Sequence, residues 1–250
     1  MPNPKLDTPL RRLIGLRTGT WLVDEVENWH EKSLKARSDS GWFHPSSLSH
    51  QCDACLLFEL LGLKQQTTHT ARTQRIFDNG HCRDRYWKEY LHKAGISLVQ
   101  KDSDRLVELP ELCIRGECDD LVRNRTTGER YVFEFKTMHH EQFKALREPT
   151  LAHKIQVHPY MRHHHGWPTY FLYEDKNDQS LKPFIYQLDP AIWDGIERRL
   201  KNILERARSG MMVERTPLAR DSGCSFYPLC SGFVLTPEHV ASVIKYTEEN

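Results

Sequence analysis

The apolar positions switch between two rhythms along the chain. "TGTWLVDEVENWHEKSLK" sets Leu22, Val26 and Trp29 at helical spacing and predicts a helix opening near Thr20. "RSDSGWFHPSSLSHQ" is a loop by composition. Ser47 or Ser49 then suits the N-cap of a helix over "CDACLLFELLGL" that stops at Gly62. "TQRIFDNGHCRDRYWKEYLHKAG" predicts a long helix ending at Gly95, with Ile76, Tyr86, Tyr90 and Leu91 as its buried stripe and Gly80 interrupting it. Beyond it the period shortens. "ISLVQKD", "RLVELPELCIRGECDDLV", "RYVFEFKTM", "TYFLYED" and "FIYQLD" carry strand signals, while "LAHKIQVHPYMRHH" reads as a helix. Asp189 is a good N-cap and Pro190 fits the first turn of a helix over "AIWDGIERRLKNILERARS". Ile192, Ile196, Leu200, Ile203, Leu204 and Ala207 share a face of it, Gly210 ends it, and the residues after it read as loop. Helices, a strand cluster, a helix, two strands and a helix predict a mixed α/β layer architecture.

A chain of 250 residues, 38% hydrophobic and 28% charged, suits a globular protein with a real core. The net charge of +1 does not select a partner, because a local basic groove can be balanced elsewhere. The sequence has no apolar run of the roughly 18 residues that span a bilayer, and its first twenty residues lack the apolar stretch of a secretory signal. The expectation is a cytoplasmic protein without a membrane partner. In that reducing compartment the seven cysteines serve as ligands or core residues rather than disulfides.

Candidate chemistry concentrates in "GECDDLVRNRTTGERYVFEFKT", residues 116–137. In "FEFK", Glu134 and Lys136 share one strand face, while Phe133 and Phe135 point to the other. A four-residue turn, Arg125 to Gly128, brings Asp119 opposite Glu134; a three-residue turn brings Asp120 there instead. Carboxylates held that close repel unless a cation lies between them, and hard oxygen donors suit Mg²⁺ or Mn²⁺. Lys136 would stand beside that charge. An exposed hairpin face with solvated charges is the plainer alternative.

"GECD" followed by "EFK" resembles the G-x-x-D…(D/E)-x-K core of the PD-(D/E)XK nucleases. "QVHPY", with Gln156 and Tyr160, resembles the Q-x-x-x-Y helix of their RecB-like branch, and "FDNGHCRD" its glycine-plus-histidine helix. Pro159 within "QVHPY" removes a helical hydrogen bond and predicts a kink. The resemblance covers residues 50–235 in outline and is densest between 77 and 160. It implies a restriction-endonuclease-like core with a mixed central sheet flanked by helices. It also implies Mg²⁺- or Mn²⁺-dependent hydrolysis of DNA phosphodiesters, by an exonuclease acting on single strands or on the ends of double strands. Asp119, Glu134 and the backbone carbonyl of Phe135 would bind the metal, Lys136 would be the catalytic lysine, and Gln156 and Tyr160 would position the strand. The family's metal-binding histidine falls four residues after the glycine; Asp84 stands there, and the histidine is His81, so either is the third ligand. Asp120 becomes a supporting or solvated residue. Recombination, repair or phage DNA metabolism is the implied setting, with recombination or replication proteins as partners. On this reading residues 1–250 form one nuclease domain, with a helical segment over 1–50, the core over 51–190, and a closing helix and cysteine tail over 191–250. The alternative is a non-catalytic DNA-binding or scaffold protein, which the replacement of the histidine by Asp84 favours.

Cys52, Cys55, Cys224 and Cys230 form two short clusters that suit a tetrahedral thiolate site, and spacing alone does not separate Zn²⁺ from iron–sulfur. RecB-like nucleases of the AddB type and CRISPR-associated adaptation nucleases carry a [4Fe–4S] cluster on one leading and three trailing cysteines. Here two lead, Asp221 stands where the first trailing one is expected, and the resemblance implies [4Fe–4S]. Cys82, Cys113 and Cys118 read as core residues. "RHHHG" reads as a solvated run, Tyr86, Trp87 and Tyr90 as core aromatics, and the basic side chains of the last long helix as a solvated face. His153, three before Gln156, either lines the same groove or fills space.

Overall fold

The computed structural model describes residues 20–33, 40–63, 70–215, 226 and 232–249. The chain divides into two compact units, Met1–Ala36 with Thr68–Asn79, and Arg37–Thr67 with Gly80–Asn250. In the first, helix α1 (Trp21–Ser33) and the opening turns of α3 (Ala71–Lys93) are linked by Arg75 to Glu27 at 3.0 Å. Among the described residues no helix is long and apolar enough to cross a membrane.

The second unit is a mixed α/β fold. Its main sheet has the order β3 (Asp120–Arg123), β4 (Arg130–Met138), β5 (Thr169–Asp175), β6 (Leu181–Tyr186). β3–β4 and β5–β6 are antiparallel and β4–β5 is parallel. A parallel pair needs a long crossover, and α4 (His140–Ala145) and α5 (Leu151–His163) supply it. β1 (Leu106–Leu109) and β2 (Ile114–Glu117) form a separate hairpin.

Alternation along β4 and β5 gives the sheet two apolar faces, and each takes a helix. On one, Val132, Phe171 and Tyr173 cluster with Val157, Tyr160 and Met161 of α5. On the other, Phe133, Phe135 and Leu172 meet Leu91 and Trp87 of α3. A third core joins α2 (Asp53–Leu60) to α6 (Pro190–Arg208) and α7 (Pro237–Glu249), with Phe58 edge-on to Phe226 at 5.4 Å.

Several expectations need correction. Cys52, without a side-chain cap bond, is the N-cap of α2, not Ser47 or Ser49. Ile76, Tyr86 and Tyr90 are exposed on α3, and only Leu91 of the expected stripe is buried. "ISLVQKD" contributes one isolated bridge, Ser97 to Val122, rather than a strand. The segment beyond Gly210 includes α7, and α4 was not expected. The α6 expectation matches the structure: Asp189 accepts from Ala191 N at 2.9 Å, Pro190 opens the helix, and its apolar stripe is buried.

Candidate active site

The β3–β4 turn sets the geometry of the site. Asn124 N donates to Glu129 O at 2.8 Å around Arg125–Gly128, and Gly128 turns the chain at φ +79°. The register pairs Asp120 with Phe133. One step further the strands set Asp119 against Glu134, as the four-residue turn requires. There the side chain takes over from the ladder, and Asp119 Oδ2 accepts from Phe135 N at 2.7 Å. Asp120 is 2% exposed and its Oδ1 accepts from Ser97 Oγ at 2.7 Å, so it is not solvated.

Glu134 is 1% exposed although it carries a carboxyl group. Its Oε1 accepts from Lys136 Nζ and from Gln156 Nε2, the latter at 2.8 Å. Its Oε2 is buried with no hydrogen-bond partner among the described residues. α5 brings Gln156 in: the helix runs through Pro159, so Gln156 and Tyr160 stay on one face. Tyr160 is buried and hydrogen-bonds Gln156. Burial, then the charge of Glu134, lifts its phenol pKa well above the usual range. Gly116 explains the glycine of "GECD". A Cβ there would stand 2.7 Å from Pro45 Cδ and 3.7 Å from Tyr160 Cε1, so only glycine fits.

Asp84 joins from α3. Its Oδ2 accepts from Lys88 Nζ at 2.7 Å, and its Oδ1 is a second buried oxygen without a partner among the described residues. Burial, then the negative charge of Asp119, pushes Glu134 up to about 7, against the pull of Lys136. Asp119 is raised by burial, Lys136 opposes that shift, and the charge of Asp84 adds to it. Burial works against the charge on Lys136, but Glu134 and Asp119 outweigh it and raise its pKa. Three carboxylates therefore sense one another in a buried cluster. His81 is exposed and has no hydrogen bond or ion pair with either Asp119 or Glu134.

The helix α3 that carries Asp84 is fixed to the opposite sheet face. Arg83 donates twice to Glu174, at 2.8 and 2.6 Å, and Trp87 Nε1 donates to the same carboxylate at 3.1 Å. Glu174 is 3% exposed.

This donor set fits a hard divalent cation. It offers carboxylate oxygens from three segments of the chain, and two buried oxygens, Glu134 Oε2 and Asp84 Oδ1, have no donor among the described residues.

Cys52 and Cys55 are buried at the start of α2, while Cys224 and Cys230 lie outside the described residues. Cys113 and Cys118 are buried and Cys82 is half-buried. "RHHHG" is not a wholly solvated run: His163 Nδ1 lies 3.1 Å from Glu108 O, His164 is half-buried, and His165 is exposed. Arg199 of α6 is committed within the fold, to Asp53 at 2.6 Å and to Leu48 O at 3.0 Å.

Sequence reasoning missed a further group. His140, Asp175 and Asp178 bring ligand atoms within 4.8 Å of one another. Asp175 also accepts from Asn177 N and Asp178 from Ser180 N, both at 2.9 Å. In the sequence such acids look like ordinary turn caps.

No protein-family model matches the chain, and no curated protein matches it. Among solved structures it is similar to an alkaline exonuclease (LHK-Exo) from Laribacter hongkongensis, at 18% identity and a TM-score of 0.46, over 66% of this chain and 87% of that one. The structure of LHK-Exo in complex with dAMP matches at 20% identity and a TM-score of 0.46, with the same two coverages.

Proposed function

We propose that the protein is a metal-dependent nuclease of the PD-(D/E)XK type that hydrolyses DNA phosphodiesters, acting as an exonuclease on single strands or duplex ends. One observation carries the reading: Glu134 Oε2 and Asp84 Oδ1 are buried without partners in a cluster that also holds Asp119 and Lys136. Burying carboxylates together is costly unless a cation compensates them.

Asp119, Glu134 and Asp84 would hold Mg²⁺ or Mn²⁺, with the Phe135 carbonyl alongside; His81 is the less favoured third ligand because it is exposed. The bound ion would supply charge neutralisation and an acidified water. The chain's own residues do the rest. Lys136 stabilises charge developing on the phosphoryl group. Gln156 fixes the orientation of Glu134, and buried Tyr160 backs Gln156.

The test is incubation of end-labelled single- and double-stranded DNA with Mn²⁺ or Mg²⁺, with and without chelator, for wild type and Glu134→Gln. Metal-dependent cleavage lost in the variant supports the reading. Binding without cleavage at any metal concentration supports the scaffold alternative.

The reading extends to the cysteines. Cys52, Cys55, Cys224 and Cys230 would hold a [4Fe–4S] cluster, with Zn²⁺ as the alternative. Two features support this: Cys52 and Cys55 sit at a helix N-terminus, which favours thiolates, and Phe226, between the two tail cysteines, packs on Phe58 of that helix. A broad absorption shoulder near roughly 400 nm in protein purified without oxygen supports the cluster; a colourless zinc protein overturns it.

A further inference from the structure

The α5 stripe that faces the sheet carries three polar side chains, of which the nuclease reading uses Gln156 and Tyr160. The third is His153, one turn ahead of Gln156. Its Nδ1 lies 2.8 Å from Tyr173 Oη, and the two rings are 5.6 Å apart. Tyr173 stands directly beside Lys136 in the β4–β5 ladder.

This pair can take a proton arrangement that frees a donor at the site. Burial raises the Tyr173 phenol pKa, and a hydrogen bond from the Thr150 backbone opposes that shift. The hydroxyl thus keeps its proton and can donate it to His153 Nδ1, 2.8 Å away. The imidazole, held neutral by burial and by the nearby charge of Lys136 with its pKa lowered to about 4, then carries its own proton on Nε2. That nitrogen makes no hydrogen bond among the described residues and is not among their buried unpartnered atoms, so it reaches solvent. The His153 backbone is fixed in turn, since its N–H donates to the N-cap Thr150 Oγ at 3.3 Å. A neutral, pre-oriented donor beside a buried ammonium suits a phosphate oxygen, because contacts of that kind set the register of a bound strand.

We propose that His153 is a further DNA-contacting residue of this site. Its Nε2–H donates to a backbone phosphate next to the phosphodiester at Lys136, and Tyr173 is the positioning residue that fixes its tautomer. The proposal rests on the nuclease reading above.

The test compares wild type, His153→Ala, His153→Gln and Tyr173→Phe on a fluorescent single-stranded oligonucleotide. Cleavage is followed in Mn²⁺, binding by anisotropy in Ca²⁺, and Mn²⁺ affinity by calorimetry. His153→Ala is expected to raise KM and the anisotropy Kd about tenfold, the cost of one donor to a charged acceptor. Its kcat and Mn²⁺ affinity should stay close to wild type. His153→Gln, which keeps a donor at similar reach, should recover most of the loss, and Tyr173→Phe should give an intermediate loss. Wild-type KM and Kd in His153→Ala overturn the proposal. So do equal losses in the Ala and Gln variants accompanied by weaker Mn²⁺ binding, which mark a structural wedge. Wild type that cuts no DNA sinks the nuclease reading instead. The anisotropy arm then decides alone: a tenfold difference upholds the contact and equal affinities overturn it.

Discussion

Gln156 donates its amide hydrogen to Glu134 at 2.8 Å, on the oxygen that Lys136 also holds. The other oxygen of Glu134 is thereby aimed away from both donors and left without one. Gln156→Ala should therefore loosen Glu134 without removing a ligand. We expect Mn²⁺ affinity to fall about 10-fold, the low end for a residue that orients a ligand, as read by calorimetry. Unchanged affinity would mean that Glu134 is held by Lys136 alone.

On the proposed reading, Lys136→Ala removes the positive charge beside the scissile phosphate. Cleavage should fall about 10²–10³-fold, while DNA anisotropy changes far less. Equal losses in binding and turnover would assign Lys136 to strand binding.

The metal-free cluster should make stability depend on pH. Glu134 titrates at about 7 in the folded protein against an ordinary 4.5, because burial and then Asp119 raise it. The folded state thus holds a proton that the unfolded chain releases. This contribution is complete below about pH 4.5 and is lost as pH rises through about 7. Asp119 adds the same sign. His153 and His164, both lowered to about 4 with burial as the leading cause, act oppositely. Their contribution is present above about pH 6.5 and lost as pH falls through about 4. In chelator, the Tm of wild type relative to Glu134→Gln should fall as pH rises from about 4.5 through about 7. Saturating Mn²⁺ should reverse that fall by binding the ionised form. A wild-type-to-variant difference that stays constant across that range in chelator would contradict the buried-cluster electrostatics.

Arg83→Met should leave Glu174 buried and unmatched, since Arg83 supplies two of its three donors. The cost expected is about 3–5 kcal/mol in urea unfolding. Asp84 follows Arg83 on the same helix, so Mn²⁺ affinity should weaken as well. Adding Glu174→Gln should restore part of the stability.

Gly116→Ala should destabilise by about 1–3 kcal/mol, because its methyl group would meet the rigid ring of Pro45 at 2.7 Å. Thermal melts of Gly116→Ala alone and with Pro45→Ala check this; relief in the double variant identifies the contact.

Elements whose rhythm is local were legible in the sequence. β4 and β5 match the segments "RYVFEFKTM" and "TYFLYED" residue for residue. Strand parity alone puts Glu134 and Lys136 on one face; it leaves Asp119 and Asp120 open, and only the motif resemblance picks out Asp119 and Gln156. α3 misled because Tyr86 and Tyr90 have core-like spacing, yet the inner face of that helix is spent on Asp84, Trp87 and Leu91. A polar residue turned inward breaks the pattern that hydrophobic spacing relies on. The Arg83–Glu174 clamp joins positions 91 residues apart and leaves no local signal. α4 is too short, with six residues, to show periodicity.

The exposed tip Arg125–Gly128 touches none of the carboxylates, and surface tips of this kind usually absorb insertions and deletions without harm. Here one residue gained or lost would slide β3 by a single step and trade its two sides. A step one way would send Asp119 towards Trp87 and the phenylalanines and set Cys118 opposite Glu134, whereas a step the other way would set Asp120 there in place of Asp119. Length drift at this tip would therefore either take the aspartate out of the carboxylate cluster or change which aspartate completes it.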